Sequence, residues 1–91
     1  MSGERAARVV LRRGRERRLK AGHLWVYEGE IARVGGDPQP GDAVDVVDQA
    51  GRFLARGYYN PASSIRVRVM TRRREERLDA ALVRRRIAEA V

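Results

Sequence analysis

The chain has no cysteine and only one histidine, His23. Without cysteine it can form no disulfide, no thiolate metal site and no cysteine nucleophile. With a single histidine, neither a histidine metal cluster nor a Ser–His catalytic pair is expected. The sequence therefore predicts no metal site and no catalytic centre of these kinds.

Long apolar runs are also absent, so the sequence predicts no membrane-spanning helix and no membrane partner. The N-terminal segment carries charges but no apolar stretch after them, which does not predict a secretory signal. By elimination, these two absences favour a cytoplasmic location. The 91 residues are enough for one domain with a modest core.

Positive charge is what the chain has in excess, with 20 Lys and Arg against 12 Asp and Glu and a net charge of +8. Residues 1–20 hold eight basic and two acidic side chains, and residues 65–91 hold nine and four. Residues 21–64 hold only three basic side chains against six acidic ones. A basic surface built from both ends favours a polyanionic partner, most often nucleic acid. All cations but one are Arg, so codon usage in a GC-rich genome is an alternative explanation.

The apolar pattern predicts five or six short strands and one short helix. The helix is expected within residues 14–22, with Leu19 as its apolar contact and Gly22 just past its end. Gly29 is expected to mark a bulge or a turn within the β-rich segment 23–34. The strand-like segments are residues 8–12, 23–34, 43–48, 52–59 and 64–72. This pattern predicts a mostly β fold, either a small barrel or an open sandwich.

A second helix is predicted at the C-terminal end, with Asp79 as its N-cap. Its apolar residues form two partial faces, which is typical of a helix packed between two surfaces. We therefore expect a first domain over residues 1–75 and the start of a linking domain over residues 76–91, as in a fragment. In this chain alone, one face is expected to be exposed or to make a non-native dimer contact. The two faces are Leu78 with Leu82, and Val83 with Ile87 and Val91.

The stretch GRFLARGYYNPASSIRVRV combines a tyrosine pair, an Asn-Pro turn and a strand that alternates Arg with Val. Neighbouring strand residues point to opposite faces, so one of Tyr58 and Tyr59 should be buried and the other exposed, unless Gly57 marks a bulge. The sequence does not decide which. The stretch is interpreted as a scaffold hairpin whose core residues are one Tyr together with Phe53, Leu54, Ile65, Val67 and Val69.

Two basic surfaces are candidates for binding. The first, here called the helix–glycine cluster, comprises Arg13, Arg15, Arg17, Arg18, Lys20 and Gly22. The second, here called the strand face, comprises Arg66 and Arg68. We favour the helix–glycine cluster because a glycine lets the backbone come close to a ligand. Charge reversal of Arg17 and Arg18 is therefore expected to weaken binding more than reversal of the strand face.

Other readings of these residues remain open. His23 and either Trp25 or Tyr27 could stack on an unpaired base, although a lone histidine at a strand start is more often structural. The strand face could instead be a solvated surface rich in salt bridges. The arginine runs at residues 72–74 and 84–86 are interpreted as solvated surfaces.

Three segments, LRRGRERRLKAGHLWVYEGEI, GDAVDVVDQAGRFLARGYYNPASSIRVRV and LDAALVRRRIAEAV, resemble a known family. Over about residues 8–91 the chain resembles the N-terminal part of bacterial 23S ribosomal RNA (cytosine-5) methyltransferases. The matching segment of that family is a PUA domain followed by the first helix of a linking domain. The resemblance implies a pseudobarrel of five or six strands that binds RNA. The RNA-binding elements it implies are Arg15–Lys20, Gly22 and the strand from Leu24.

The resemblance also implies S-adenosylmethionine as cofactor, held with a base-attacking cysteine in a domain downstream. This chain has no cysteine and no glycine-rich cofactor loop. The resemblance therefore implies a ribosomal RNA partner for this chain, but neither catalysis nor a cofactor within it. The alternative is a stand-alone basic domain that binds proteins, or nucleic acid without specificity. Arginines neutralised by local carboxylates would favour that alternative.

Overall fold

The computed structural model describes residues 7–75, which form one six-stranded sheet and one short α-helix. A single 3-10 turn, Glu28–Glu30, joins two of the strands. In chain order the elements are β1 (Ala7–Leu11), α1 (Glu16–Lys20), β2 (Trp25–Tyr27), β3 (Ile31–Gly35), β4 (Ala43–Val47), β5 (Phe53–Tyr59) and β6 (Ile65–Thr71). The prediction of five or six strands with one short helix is confirmed.

The strands follow the order β2-β6-β5-β4-β1-β3 across the sheet, which curls into a half-barrel. Four neighbouring pairs are antiparallel, and β1 with β4 is parallel. The two edge strands, β2 and β3, are joined directly by the 3-10 turn. This short connection brings the end of β2 to the start of β3, so the two edges of the curled sheet meet at the turn.

The core lies inside the curl. Strands β1, β4, β5 and β6 contribute two residues each, β2 contributes Val26, and Ile31 of the largely exposed edge strand β3 packs against the core. Leu19, the apolar residue of α1, is 2% exposed and packs into the same core. Burial of one such side chain stabilises the fold by about 1.5–3 kcal/mol, so Leu19 fixes α1 against the barrel. The buried cluster comprises Val9, Leu11, Leu19, Val26, Val44, Val46, Ala55, Tyr59, Val67 and Val69.

Tyr58 and Tyr59 differ in burial, and a bulge precedes them in β5. The β5–β6 register shifts between Arg56 and Gly57, and Tyr59 is in the core while Tyr58 is half-buried. A side-chain carbon at Gly57 would overlap the carbonyl oxygen of Arg68, so only glycine allows this close approach.

Phe53 and Ile65 are expected in the core, and that expectation is wrong for both. Each is half-buried and lies outside the buried cluster, with Phe53 at the start of β5 and Ile65 at the start of β6. The guanidinium groups of Arg56 and Arg74 each lie 5.3 Å from the Phe53 ring centroid. Cation–π contact with two arginines stabilises Phe53 at the surface instead.

Two predictions from the sequence are not tested by residues 7–75. The predicted C-terminal helix and its dimer contact lie beyond residue 75, outside the described residues, and the domain boundary there stays a prediction. Within residues 7–75, no helix combines the length and apolar character needed to cross a membrane.

Candidate nucleic-acid interface

The end of α1 has a defined backbone geometry. Gly22 has φ of +107°, and its N–H donates to the carbonyl of Leu19 at 3.0 Å. The N–H of His23 donates to the carbonyl of Arg18 at 3.1 Å. These two bonds with a left-handed glycine form a Schellman motif, which ends a helix and turns the chain. The helix stop predicted from Gly22 is confirmed, and it leads directly into β2.

The cations around α1 differ in how they are paired. Arg13, Arg15, Arg17 and Lys20 are exposed, and within residues 7–75 none of them lies in an ion pair. The charges of Arg13, Arg15 and Arg17 are therefore available to an anion in solution, whereas the charge of Lys20 also helps to lower the pKa of Asp48.

Arg18 is different because it is half-buried and has two partners. Its Nη1 atom lies 3.6 Å from Oε2 of Glu30, and its guanidinium lies 5.5 Å from the Tyr27 ring centroid. Glu30 is 7% exposed, and its other oxygen accepts the Tyr27 N–H at 3.0 Å. A buried carboxylate needs a compensating cation, so Arg18 holds α1 to the β2–β3 connection.

The three aromatic candidates beside α1 are not equivalent. Tyr27 already has the Arg18 guanidinium over its ring. His23 and Trp25 are both half-buried and contact each other edge to face, with centroids 6.1 Å apart. Trp25 Nε1 is buried and has no hydrogen-bond partner among residues 7–75. Next to them, Leu24 is 48% exposed. This segment offers a base an apolar, partly aromatic surface next to free cations.

The two residues of the strand face lie in different environments. Arg66 is half-buried, with Nη2 at 3.1 Å from Oε2 of Glu28 and Nε donating to the Ser63 carbonyl at 2.8 Å. Arg68 is exposed and sits directly opposite Trp25 in the β2–β6 pairing. Directly opposite residues of antiparallel strands share a face, so Arg68 extends the basic surface near Trp25, whereas Arg66 is neutralised.

Arg66 also borders an open cleft of about 460 Å³ where the two edge strands meet. Within the described part of the chain this cleft has two guanidinium groups and one carboxylate at its rim. Its lining residues are Arg12, Glu28, Gly29, Ile31, Val34, Tyr59 and Arg66.

Sequence reasoning missed Arg72, which was assigned to a solvated run. Its Nη1 donates to the Leu19 carbonyl and its Nη2 to the His23 carbonyl, both at 2.6 Å. The acceptors lie 53 and 49 residues earlier in the chain. No local sequence signal indicates such a pairing, since it depends on β2 and β6 being neighbours in the sheet.

Away from α1, carboxylates neutralise further arginines. Arg56 pairs with Asp45 at 2.7 Å, and Arg52 pairs with Asp48 at 3.3 Å. The backbone N–H of Arg52 donates to Asp48, and this bond is the main cause that lowers the pKa of the Asp48 carboxyl.

Among residues 7–75, no three His, Asp or Glu side chains are grouped as they would be around a metal ion.

Comparison with known proteins matches the PUA-like domain family over residues 9–72. The chain is also 45% identical over 83 residues to the ribosomal RNA large subunit methyltransferase I of Klebsiella pneumoniae subsp. pneumoniae, and 45% identical over 85 residues to that of an Enterobacter species. These alignments cover 91% and 93% of this chain but 21% and 22% of the relatives. The chain thus spans about a fifth of their length, in the N-terminal region. It belongs to the PUA-like domain family.

Proposed function

We propose that this chain is the RNA-recognition module of a ribosomal RNA large-subunit methyltransferase and has no catalytic activity of its own. The observation that carries the proposal is the set of cations around the Schellman turn at Gly22 that form no ion pair within residues 7–75. The names of the relatives supply the class of RNA and the parent activity. Such a parent enzyme would act in the cytoplasm, and cytosine-5 would be the methylated position.

The proposed interface uses each part of the helix–glycine cluster for one task. Arg13, Arg15, Arg17 and Lys20 would contact phosphates, and Gly22 would let a phosphate approach the backbone. The His23–Trp25 segment would contact an unpaired base. Arg68 would add potential beside Trp25, and Arg66 would contribute little while paired with Glu28.

S-adenosylmethionine is the cofactor expected of the parent enzyme, and the described residues do not fit it. Strand β1 leads into α1 through a turn with one glycine, Gly14, and several cationic side chains. A glycine-rich loop opening a long helix is the usual nucleotide cradle, and α1 has five residues. No step of methyl transfer is therefore assigned to this chain.

Binding to an RNA hairpin with an unpaired loop tests the proposal. A domain of this size would neutralise about four phosphates, which gives a log–log salt slope of roughly −3 at about −0.7 per phosphate. We expect weaker binding to duplex DNA, because an unpaired base can stack on the His23–Trp25 segment. Binding that stays unchanged as salt is raised, or equal affinity for duplex DNA, would argue against it. Calorimetric titration with S-adenosylmethionine should show no binding.

The alternative, a stand-alone domain with protein partners, is favoured by one observation on the strand face. Arg66 is paired with Glu28, so this part of the surface presents less free charge than its sequence suggests. Binding to hairpin RNA and to duplex DNA distinguishes the two functions. A protein-binding module would show no preference for hairpin RNA over duplex DNA.

A further inference from the structure

Arg72 connects the end of β6 to the loop between α1 and β2. Since β2 and β6 are antiparallel neighbours, the residues that follow β6 lie beside those that precede β2. The Leu24 carbonyl accepts the Val69 N–H at 2.8 Å, and Arg72 reaches further along the same loop to Leu19 and His23. Its two acceptors flank Gly22 on either side.

The two hydrogen bonds are of the strong type. Each joins a guanidinium N–H to a carbonyl at 2.6 Å, and charge-assisted bonds are shorter and stronger than neutral ones. The last carbonyls of a helix lack full intrahelical partners and attract cations. The Leu19 carbonyl already accepts the Gly22 N–H, so Arg72 occupies its second lone pair. A planar guanidinium reaches two acceptors at once in a fixed geometry, which a lysine ammonium does not match.

The loop that Arg72 holds has several backbone hydrogen bonds but few side-chain contacts. Ala21, Gly22 and Leu24 are exposed, and a side-chain carbon at Gly22 would meet no atom within 4 Å. Glycine can adopt many backbone conformations, so a glycine loop keeps one geometry only if other groups fix it. The Schellman bonds fix its start, and Arg72 fixes the carbonyls on both sides.

We propose that Arg72 is a positioning residue for RNA binding, which holds the Gly22–His23 backbone in its binding geometry before RNA arrives. This inference rests on the proposed function. Arg72 touches backbone carbonyls rather than RNA. Its effect on affinity would come from the fraction of molecules whose loop is in the competent geometry.

Arg72→Met and Arg73→Met form a matched pair in the full chain. Arg73 is the adjacent exposed arginine. Its backbone N–H donates to the Thr71 hydroxyl at 3.1 Å, and within residues 7–75 its guanidinium has no hydrogen-bond or ion-pair partner. Both variants lose one positive charge at nearly the same place, but only the first releases the loop. If release leaves the loop competent about a tenth of the time, the apparent Kd rises about tenfold.

The measurements are hydrogen exchange and binding to the RNA hairpin over a range of salt. With Arg72→Met, we expect faster exchange at the Gly22 and His23 amides, unchanged exchange in β4 and β5, and RNA binding about tenfold weaker than with Arg73→Met. Both variants should have the same salt slope. Arg72→Lys should recover part of the affinity, and it serves as the folded variant if the Met variant unfolds.

Two results would overturn the inference. Equal affinity of the two Met variants would show that the loop does not need Arg72. A salt slope shallower by about 0.7 in Arg72→Met alone would mean that Arg72 itself contacts a phosphate. If the wild-type chain binds no RNA, the proposed function fails and so does the RNA role of Arg72. Exchange would then still decide whether Arg72 holds the loop.

Discussion

Two arginine-rich regions of this domain differ in the carboxylates around them. Around α1, Arg15 and Arg17 are exposed and unpaired within the described residues, and the nearby carboxylate of Glu30 pairs with Arg18. On the sheet, Arg66 and Arg56 are each held by a carboxylate. Arg68 of the same sheet is exposed, so the difference between the regions lies in Arg56 and Arg66, whose charges are paired.

This difference shows that arginine density alone does not locate a binding site. An arginine with a nearby carboxylate has its charge partly cancelled and its side chain fixed. An arginine without such a partner keeps both its charge and its freedom to meet a phosphate. On this basis, the first region is the better candidate for RNA.

The largest expected effect follows from reversing the free charges. The pair Arg17 with Arg18 suits this poorly, because Arg18 balances the buried Glu30. The double change Arg15→Glu with Arg17→Glu avoids that problem. A hydrogen bond to a charged group contributes about 1.5–3 kcal/mol, so losing two should weaken hairpin RNA binding by about a hundredfold or more.

The comparison variant is Arg66→Glu with Arg68→Glu, followed by the same fluorescence titration and by thermal unfolding. We expect a clearly smaller loss, since Arg66 is already neutralised. Equal losses would indicate a diffuse basic field, and a larger loss from the strand face would move the site there.

The next effect concerns Gly22. Alanine at this position should cost about 1–2 kcal/mol of stability, because an L-residue is strained at φ of +107° although the space is open. Valine adds the same strain and also bulk at the point where a phosphate would approach. We therefore expect Gly22→Val to bind RNA more weakly than Gly22→Ala. Urea unfolding measures the loss of stability that the backbone strain causes, and RNA titration measures the loss of affinity that the larger side chain causes. Equal affinity of the two folded variants would show that no phosphate comes close to this backbone.

A smaller effect is expected from removing single carboxylates. Glu28→Gln frees Arg66, and Glu16→Gln raises the positive potential within α1 itself. Both remove one negative charge, so they differ only in location. We expect about a twofold to threefold gain in RNA affinity for Glu16→Gln and less for Glu28→Gln, given the small contribution of exposed charges. A greater gain from Glu28→Gln would make the strand face the main site.

The smallest expected effect is on how the stability of the fold depends on pH in the acid range, and it comes from Asp48 between β4 and β5. Since the pKa of Asp48 is lowered in the fold, its ionised form stabilises the native state above the unfolded pKa. That contribution is lost as the pH falls through the lower, folded pKa. Asp48→Asn should therefore flatten the loss of stability below about pH 4. Urea unfolding at a series of pH values measures this, and an unchanged profile would contradict it.

The sequence predicted the local parts of this fold well. The alternation that buries Val67 and Val69, the glycine helix stop and the Asn-Pro turn each depend on neighbouring residues. Such patterns can be read without knowing the tertiary structure. The six strands and the short helix followed from them.

The candidate site was only partly predictable, because its pairings are long-range. Arg66 with Glu28 and Arg72 with the Leu19 carbonyl join segments that are far apart in sequence. Phe53 was misplaced for the same reason, since Arg74 reaches it only after the chain has crossed β6. From sequence alone an arginine run is interpreted as solvated, because only the strand order of the sheet shows which carbonyls and carboxylates lie beside it.

The strand order also has a consequence for the order of events during synthesis. Within the described sheet, the strand β1 pairs with β3 and β4, while β2, which follows α1, pairs only with β6. Such non-local pairing slows folding, because the intervening chain must be closed into loops first. The N-terminal helix and its glycine turn are therefore translated early but gain their neighbours late. The loop proposed to contact RNA is complete only once Arg72 has been synthesised. A nascent chain interrupted before that residue would carry the arginines of α1 without the contacts that position them.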